Sequence, residues 1–206
     1  MRISPPATVF LALAAARLCV CEPHHLAQPL SVTVRNYSGA PRSVLRPAVE
    51  IAHRAFHTAG LESLWIVCDP ESCDAPLDSQ ASGSRLELFV MPTLRTPLPG
   101  ADDRHPAGYA MADAFPRPRA YAFYDAAQSA ADRTLRPLSL VLGCILIHEA
   151  GHLLGLTHAA HGVMRPNLDG IEMDNAVRGW AFSDDERKKL RATLGGPSDL
   201  RALARR

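Results

Sequence analysis

Between Ile147 and Pro166 the chain reads Ile-His-Glu-Ala-Gly-His-Leu-Leu-Gly-Leu-Thr-His-Ala-Ala-His-Gly-Val-Met-Arg-Pro, and three of its histidines carry the spacing of metal ligands. His148 and His152 are four apart, so on a helix they stand one turn apart on the same face. Two imidazoles so placed can share one Zn²⁺ without bending the backbone. Glu149 follows the first of them and is positioned to act on a metal-bound water rather than on the metal. Gly155 tolerates a left-handed φ, so the helix can stop there and the chain can turn back, carrying His158 to a third ligand position. Three protein ligands leave a fourth position for water, which is the arrangement of a catalytic rather than a structural zinc site. His161, three residues further on, is the alternative third ligand. The rival reading of the whole stretch is an ordinary buried helix whose histidines are core or surface residues.

The elements that would position these residues can be read from the rest of the chain. From Leu138 to Leu154 the sequence is apolar almost all round, as in a helix buried in a core, and Pro137 opens it where proline is favoured. Strands are expected at Leu30 to Tyr37, Leu64 to Cys68, Arg85 to Met91, Gly108 to Asp113 and Ala120 to Tyr124, from alternation and β-branched content. Val44 to Ala59 shows helical spacing, stops at Gly60, and carries Pro47 in its expected first turn. Its His53 and His57 are also four apart, but no glutamate and no third ligand follow, so they read as a solvated or core pair. Ser79 to Ser84 is a polar turn, and Pro92 to Pro106 a long surface loop in which Asp102, Asp103 and His105 offer a weaker cation site. An irregular stretch is expected from Met164 to Ala181. Ser183-Asp184-Asp185-Glu186 is a capping box that starts a last helix to about Leu194, ended by Gly195-Gly196.

Composition bounds the class. The 206 residues suffice for one domain with a real core, and hydrophobic content of 47% is that of a globular chain. With 22 basic and 21 acidic side chains the formal charge is +1, so no basic excess points to nucleic acid or to an anionic membrane. Ala7 to Ala16 is an apolar run behind Arg2, too short to span a bilayer, and it fits the core of a secretory signal peptide over residues 1–21; a buried N-terminal segment is the alternative. Residues 22–206 then form a single domain, secreted or periplasmic. Of five cysteines, Cys19 and Cys21 fall in the leader region. Cys68 and Cys73 flank a short turn, open to a local disulfide or to two free thiols, and Cys144 reads as buried packing.

Residues 148 to 164 resemble the metzincin signature, His-Glu-x-x-His-x-x-Gly-x-x-His followed by a methionine turn. The segments Ala110 to Phe115, Ala120 to Asp125 and Phe182 to Asp185 resemble the matrixin-like branch, and the similarity spans roughly Leu30 to Gly195. The resemblance implies a mixed α/β sandwich of metzincin or zincin-like type. It would have a twisted, mostly parallel sheet of about five strands with an antiparallel edge strand, a buried active-site helix and a C-terminal helix. It also implies His148, His152 and His158 as zinc ligands, Glu149 as catalytic base, Met164 beneath the metal, and Gly108 to Asp113 as the strand a substrate peptide joins. Asp113 stands where matrixins carry a histidine for a second zinc; Met164 follows His158 by only six residues; Arg165 replaces the usual aromatic residue. No tyrosine follows Tyr124, and too few residues precede Leu30 for an inhibitory propeptide. The expectation is therefore a secreted, monomeric zinc endopeptidase acting on a peptide or protein substrate, with calcium unsupported by any residue pattern. The alternatives are an inactive or narrowly specific zinc-binding protein on the same scaffold, and a cell-wall peptide hydrolase.

Overall fold

The computed structural model describes residues 30–69, 84–93, 106–113 and 117–195. In β1 (Leu30–Asn36) every second side chain, Leu30, Val32, Val34 and Asn36, is buried. The following α1 (Arg42–Thr58) turns Leu45, Ala48, Val49, Ala52 and Phe56 inward at helical spacing. It begins two residues earlier than its hydrophobic pattern indicated, so Pro47 lies inside the helix rather than in its first turn. Next come β2 (Ser63–Cys68), β3 (Arg85–Met91), the short β4 (Gly108–Met111) and β5 (Arg119–Phe123). The chain closes with α2 (Tyr124–Thr134), α3 (Leu138–Leu153), α4 (Gly170–Val177) and α5 (Asp184–Gly195).

The five strands form one sheet in the order β2-β1-β3-β5-β4. Four run parallel; β4 is the antiparallel edge, with Gly108 opposite Ala122 and Met111 opposite Arg119. Leu86, Leu88 and Val90 of β3 and Ala120 and Ala122 of β5 continue the buried face of β1. Against that face lie α1, beside β2, and α3, beside β3, β5 and β4. The two helices touch backbone to backbone at Gly143, where an added Cβ would stand 2.9 Å from the carbonyl oxygen of Ala48. This is the expected mixed α/β architecture, a mostly parallel sheet with an antiparallel edge and a buried central helix.

Two helices were not anticipated. Apart from its alanines, α2 has a polar sequence, and only Ala127 and Ala131, one turn apart, are buried. It ends on Leu135 in a left-handed conformation, φ 53°, where no glycine marks the stop. The stretch after Met164, expected to be irregular, contains α4, whose N-cap Asp169 accepts hydrogen bonds of 3.0 Å from the amides of Ile171 and Glu172. The capping box of α5 forms as read. Ser183 Oγ accepts from the Glu186 amide at 3.3 Å, and Glu186 Oε2 accepts from the Ser183 amide at 2.7 Å.

Among the described residues His53 and His57 belong to no metal cluster; His53 Nδ1 lies 3.3 Å from Ser63 Oγ, and His57 is exposed. Cys68 is disulfide-bonded to a partner outside the described residues, and Cys144 is a buried free thiol. The leader over residues 1–21, Cys73, most of the Ser79–Ser84 turn, and the loop residues Asp102, Asp103 and His105 lie outside the described residues as well. Among the described residues no helix is long and apolar enough to cross a membrane.

Candidate metal centre

Almost every residue of α3 from Leu140 onward is buried, so the polar groups it carries are held in an apolar setting. The helix ends in a Schellman motif. Gly155, at φ 84°, donates its amide to His152 O at 3.0 Å, and the Leu156 amide bonds Gly151 O at 2.9 Å. A side chain at Gly155 would meet nothing within 4 Å, so backbone conformation alone calls for glycine there. The reversal places His158 beside the helix. His148, His152 and His158 each offer a ring nitrogen, and these three atoms lie within 4.8 Å of one another.

The same reversal fixes the rings. His152 Nδ1 stands 2.9 Å from the carbonyl oxygen of Leu156, and His148 Nδ1 stands 2.8 Å from that of Val163. A carbonyl oxygen only accepts, so in both neutral rings Nδ1 carries the hydrogen and Nε2 keeps its lone pair. The two Nε2 atoms face each other at 3.0 Å. Two lone pairs at that distance repel, and a shared cation removes the repulsion. Zinc bound tetrahedrally to nitrogen at about 2.0–2.1 Å spaces its ligands by about 3.3 Å, close to what the side chains already adopt.

Electrostatics keep the candidate ligands in a form able to bind metal. Burial, joined by the nearby His152 and His158, lowers the pKa of His148 to about 4, against a bond to Val163 that acts the other way. His152 is lowered as well, by burial first and then by His158. Both rings are therefore neutral at neutral pH, as a metal requires. These residues suit zinc.

Glu149 is 5% exposed; burial raises its pKa to about 8, and its Oε2 has no hydrogen-bond partner. Gly108 of β4 backs onto its carboxyl group. Met164 is fully buried, and its sulfur packs against Gly151, where a Cβ would come 2.6 Å from Sδ. His161 points elsewhere. Its side chain is 91% exposed and lies 4.0 Å from Glu172. Asp113 is exposed and belongs to no metal-binding group among the described residues. Arg165 is held by Asp169 at 2.6 Å and lines the cleft beside the histidines, a cavity of about 710 Å³ that reaches from β4 to the loop after Met164.

Several supporting groups escaped the sequence. The Leu156 and Val163 carbonyls are backbone atoms with no residue-type signature. Gly108 lies 41 positions from Glu149 and meets it only through the sheet. Glu172 accepts from the Gly162 amide at 3.1 Å and so steadies the turn that presents Val163. Its helix was not foreseen, and neither was that contact.

No protein-family model and no curated protein matches the sequence. Solved structures do match in fold. A zinc-dependent peptidase from Methanocorpusculum labreanum superposes with a TM-score of 0.53 at 18% identity, over 77% of this chain and 99% of that one. An archaemetzincin from Methanopyrus kandleri gives 0.53 at 15% identity, over 82% and 97%. Metalloproteinase-II from Bacteroides fragilis gives 0.50 at 13% identity, over 84% of this chain and 55% of that one. The chain thus has a zincin-like fold, shared with structures described as a zinc-dependent peptidase, an archaemetzincin and a metalloproteinase.

Proposed function

We propose that the protein is a zinc-dependent endopeptidase with His148, His152 and His158 as metal ligands and Glu149 as general base. One observation carries the reading: two neutral imidazoles, each oriented by a carbonyl, aim their Nε2 lone pairs at a common point beside a third histidine and an unpartnered buried carboxyl. A zinc ion there would supply a bound water of lowered pKa and an electrophile for the scissile carbonyl.

The chain's own groups account for the rest. Glu149, ionised by the cation that would sit beside it, accepts the proton of the attacking water and returns it to the departing amine. Among the described residues β4 pairs with β5 alone, and its other edge would take an extended peptide laid beside the histidines. Fixed carbonyls and the buried methionine hold the ligands without rearrangement. The fold neighbours support peptide hydrolysis, and the methionine turn and edge strand support the metzincin, matrixin-like reading. The disulfide at Cys68 and the apolar run at residues 7–16 support export, because disulfides persist in oxidising compartments.

The test is digestion of a diverse peptide mixture by the zinc-loaded mature chain beside its Glu149→Ala variant, with products read by mass spectrometry. Internal cuts made only by the unmodified chain establish the activity. A zinc-loaded chain that cuts nothing overturns it.

A further inference from the structure

The cleft extends beyond the histidines. It follows α3 past Ile145 to Val141, and Ala130 and Arg133 of α2, with Leu168 and Met173, line it too. Val141, Ile145, His148 and His152 succeed one another on one face of the helix. From His148 to Val141 is two turns, so this slot runs about 10 Å from the first ligand toward the start of α3. Apart from Arg133 and the two histidines, the slot side chains just named are aliphatic or thioether.

Arg133 is the exception in charge. Two nearby arginines are already engaged: Arg136 forms a forked pair with Asp174 at 2.7 and 2.9 Å, and Arg165 is bound to Asp169. Arg133 is exposed, and its side chain has no hydrogen bond or ion pair among the described residues. The acid that lines the cleft, Glu149, stands beside the histidines. The slot therefore has mainly apolar walls and, where α2 borders it, a guanidinium with no acidic partner among the described residues.

We infer that this slot selects a substrate carboxylate, with Arg133 as the specificity-determining residue. The inference rests on the peptidase reading. Aliphatic walls accept the methylenes of a side chain, while the planar fork of a guanidinium matches a carboxylate in two hydrogen bonds. A lysine in the slot meets repulsion. The carboxylate has two sources, a glutamate side chain next to the scissile bond or the C-terminus of a short peptide.

The experiment uses end-blocked peptides carrying glutamate, glutamine or lysine on either side of one cleavable bond, and a glutamine peptide with a free C-terminus near that bond. Rates are measured with the zinc-loaded chain, and affinities with its zinc-loaded Glu149→Ala variant. The expected result is a preference of about tenfold for the carboxylate peptide over its neutral counterpart, falling to within about twofold when Arg133→Ala is introduced. Arg133→Glu should shift the preference to lysine. A preference on one flank of the blocked peptides assigns the carboxylate to a side chain; a preference for the free terminus alone assigns it to the chain end. Both outcomes support the inference. Equal rates and affinities for charged and neutral peptides overturn it, as does a preference that survives Arg133→Ala. The binding arm reads recognition without cleavage, so failure of the peptidase reading and failure of this inference give different results.

Discussion

The backbone of Gly108 lies directly against the carboxyl group of Glu149: a Cβ at Gly108 would stand 2.7 Å from both Cδ and Cγ of the glutamate, and closer still to Oε1. The edge strand and the carboxyl proposed as general base therefore share one surface. In the proposed mechanism a peptide lying along β4 has its scissile carbonyl delivered to the acid that takes the proton.

That contact predicts a separation of catalysis from metal binding. In Gly108→Ala the methyl group and the Glu149 carboxyl cannot occupy their present positions together, and the buried carboxyl must move. A displacement of about 1 Å at a reacting group costs about a hundredfold in rate. Peptide cleavage should fall by that order while zinc stoichiometry stays at one per chain. Undiminished kcat/KM in the variant would show that Glu149 tolerates the shift.

The third ligand is decided by a pair of substitutions. His158 shares the cluster with His148 and His152, whereas His161 is exposed and faces Glu172. Replacing His158 with alanine should weaken zinc binding by about a hundredfold or more, beyond what loss of an outer-shell partner costs. His161→Ala should leave affinity nearly unchanged. Competitive titration against a chromogenic chelator measures both, and equal losses overturn the assignment.

The clustering of the three histidines was legible because it is local. A helix, a glycine stop and a turn place all three within eleven residues, and each step follows from spacing and one permissive φ. The strands were legible through alternation, which survives wherever one face is buried. α2 was not, because Ala127 and Ala131 are its only buried residues and alanine marks an inner face weakly. α4 was hidden by its length of eight residues and by the proline and glycines around it. Pro47 was placed too near the helix start because Arg42 and Ser43, which precede the first apolar residue, carry no periodic mark. The contact of Gly108 with Glu149 needed the sheet itself.

Stability offers a case where propensity and packing disagree in sign. Gly143 sits inside α3, where replacement by alanine alone would stabilise the helix by about 1 kcal/mol. Here the added Cβ would meet Ala48 O at 2.9 Å and Ile51 Cβ and Cγ2 at 3.2 Å. A backbone oxygen cannot swing aside, so α1 and α3 must part. Gly143→Ala should therefore destabilise the fold by about 1–3 kcal/mol, the usual cost of overpacking. Urea melts of the two proteins decide it, and a gain in stability would mean the helices separate freely.

The buried acid and imidazole also set how the metal-free protein responds to pH. Glu149 has its pKa raised from 4.5 to about 8 on folding, so the stability it contributes is present below 4.5 and is lost as pH rises through 8. His148 is lowered from 6.5 to about 4, so its contribution is present above 6.5 and is lost as pH falls through 4. Between pH 4.5 and 6.5 the two oppose each other. From 6.5 to 8 the histidine contribution is nearly complete and Glu149 carries most of the remaining change, binding more proton in the folded state than in the unfolded one. Chelator-treated protein should lose stability across that interval, by on the order of 2 kcal/mol. Zinc should remove the trend, because a nearby cation favours the ionised carboxylate. Thermal melts from pH 6.5 to 8, with and without metal, make the comparison. A flat or rising stability in the chelated protein would show that water reaches Glu149 and that its carboxyl is not held in an apolar setting.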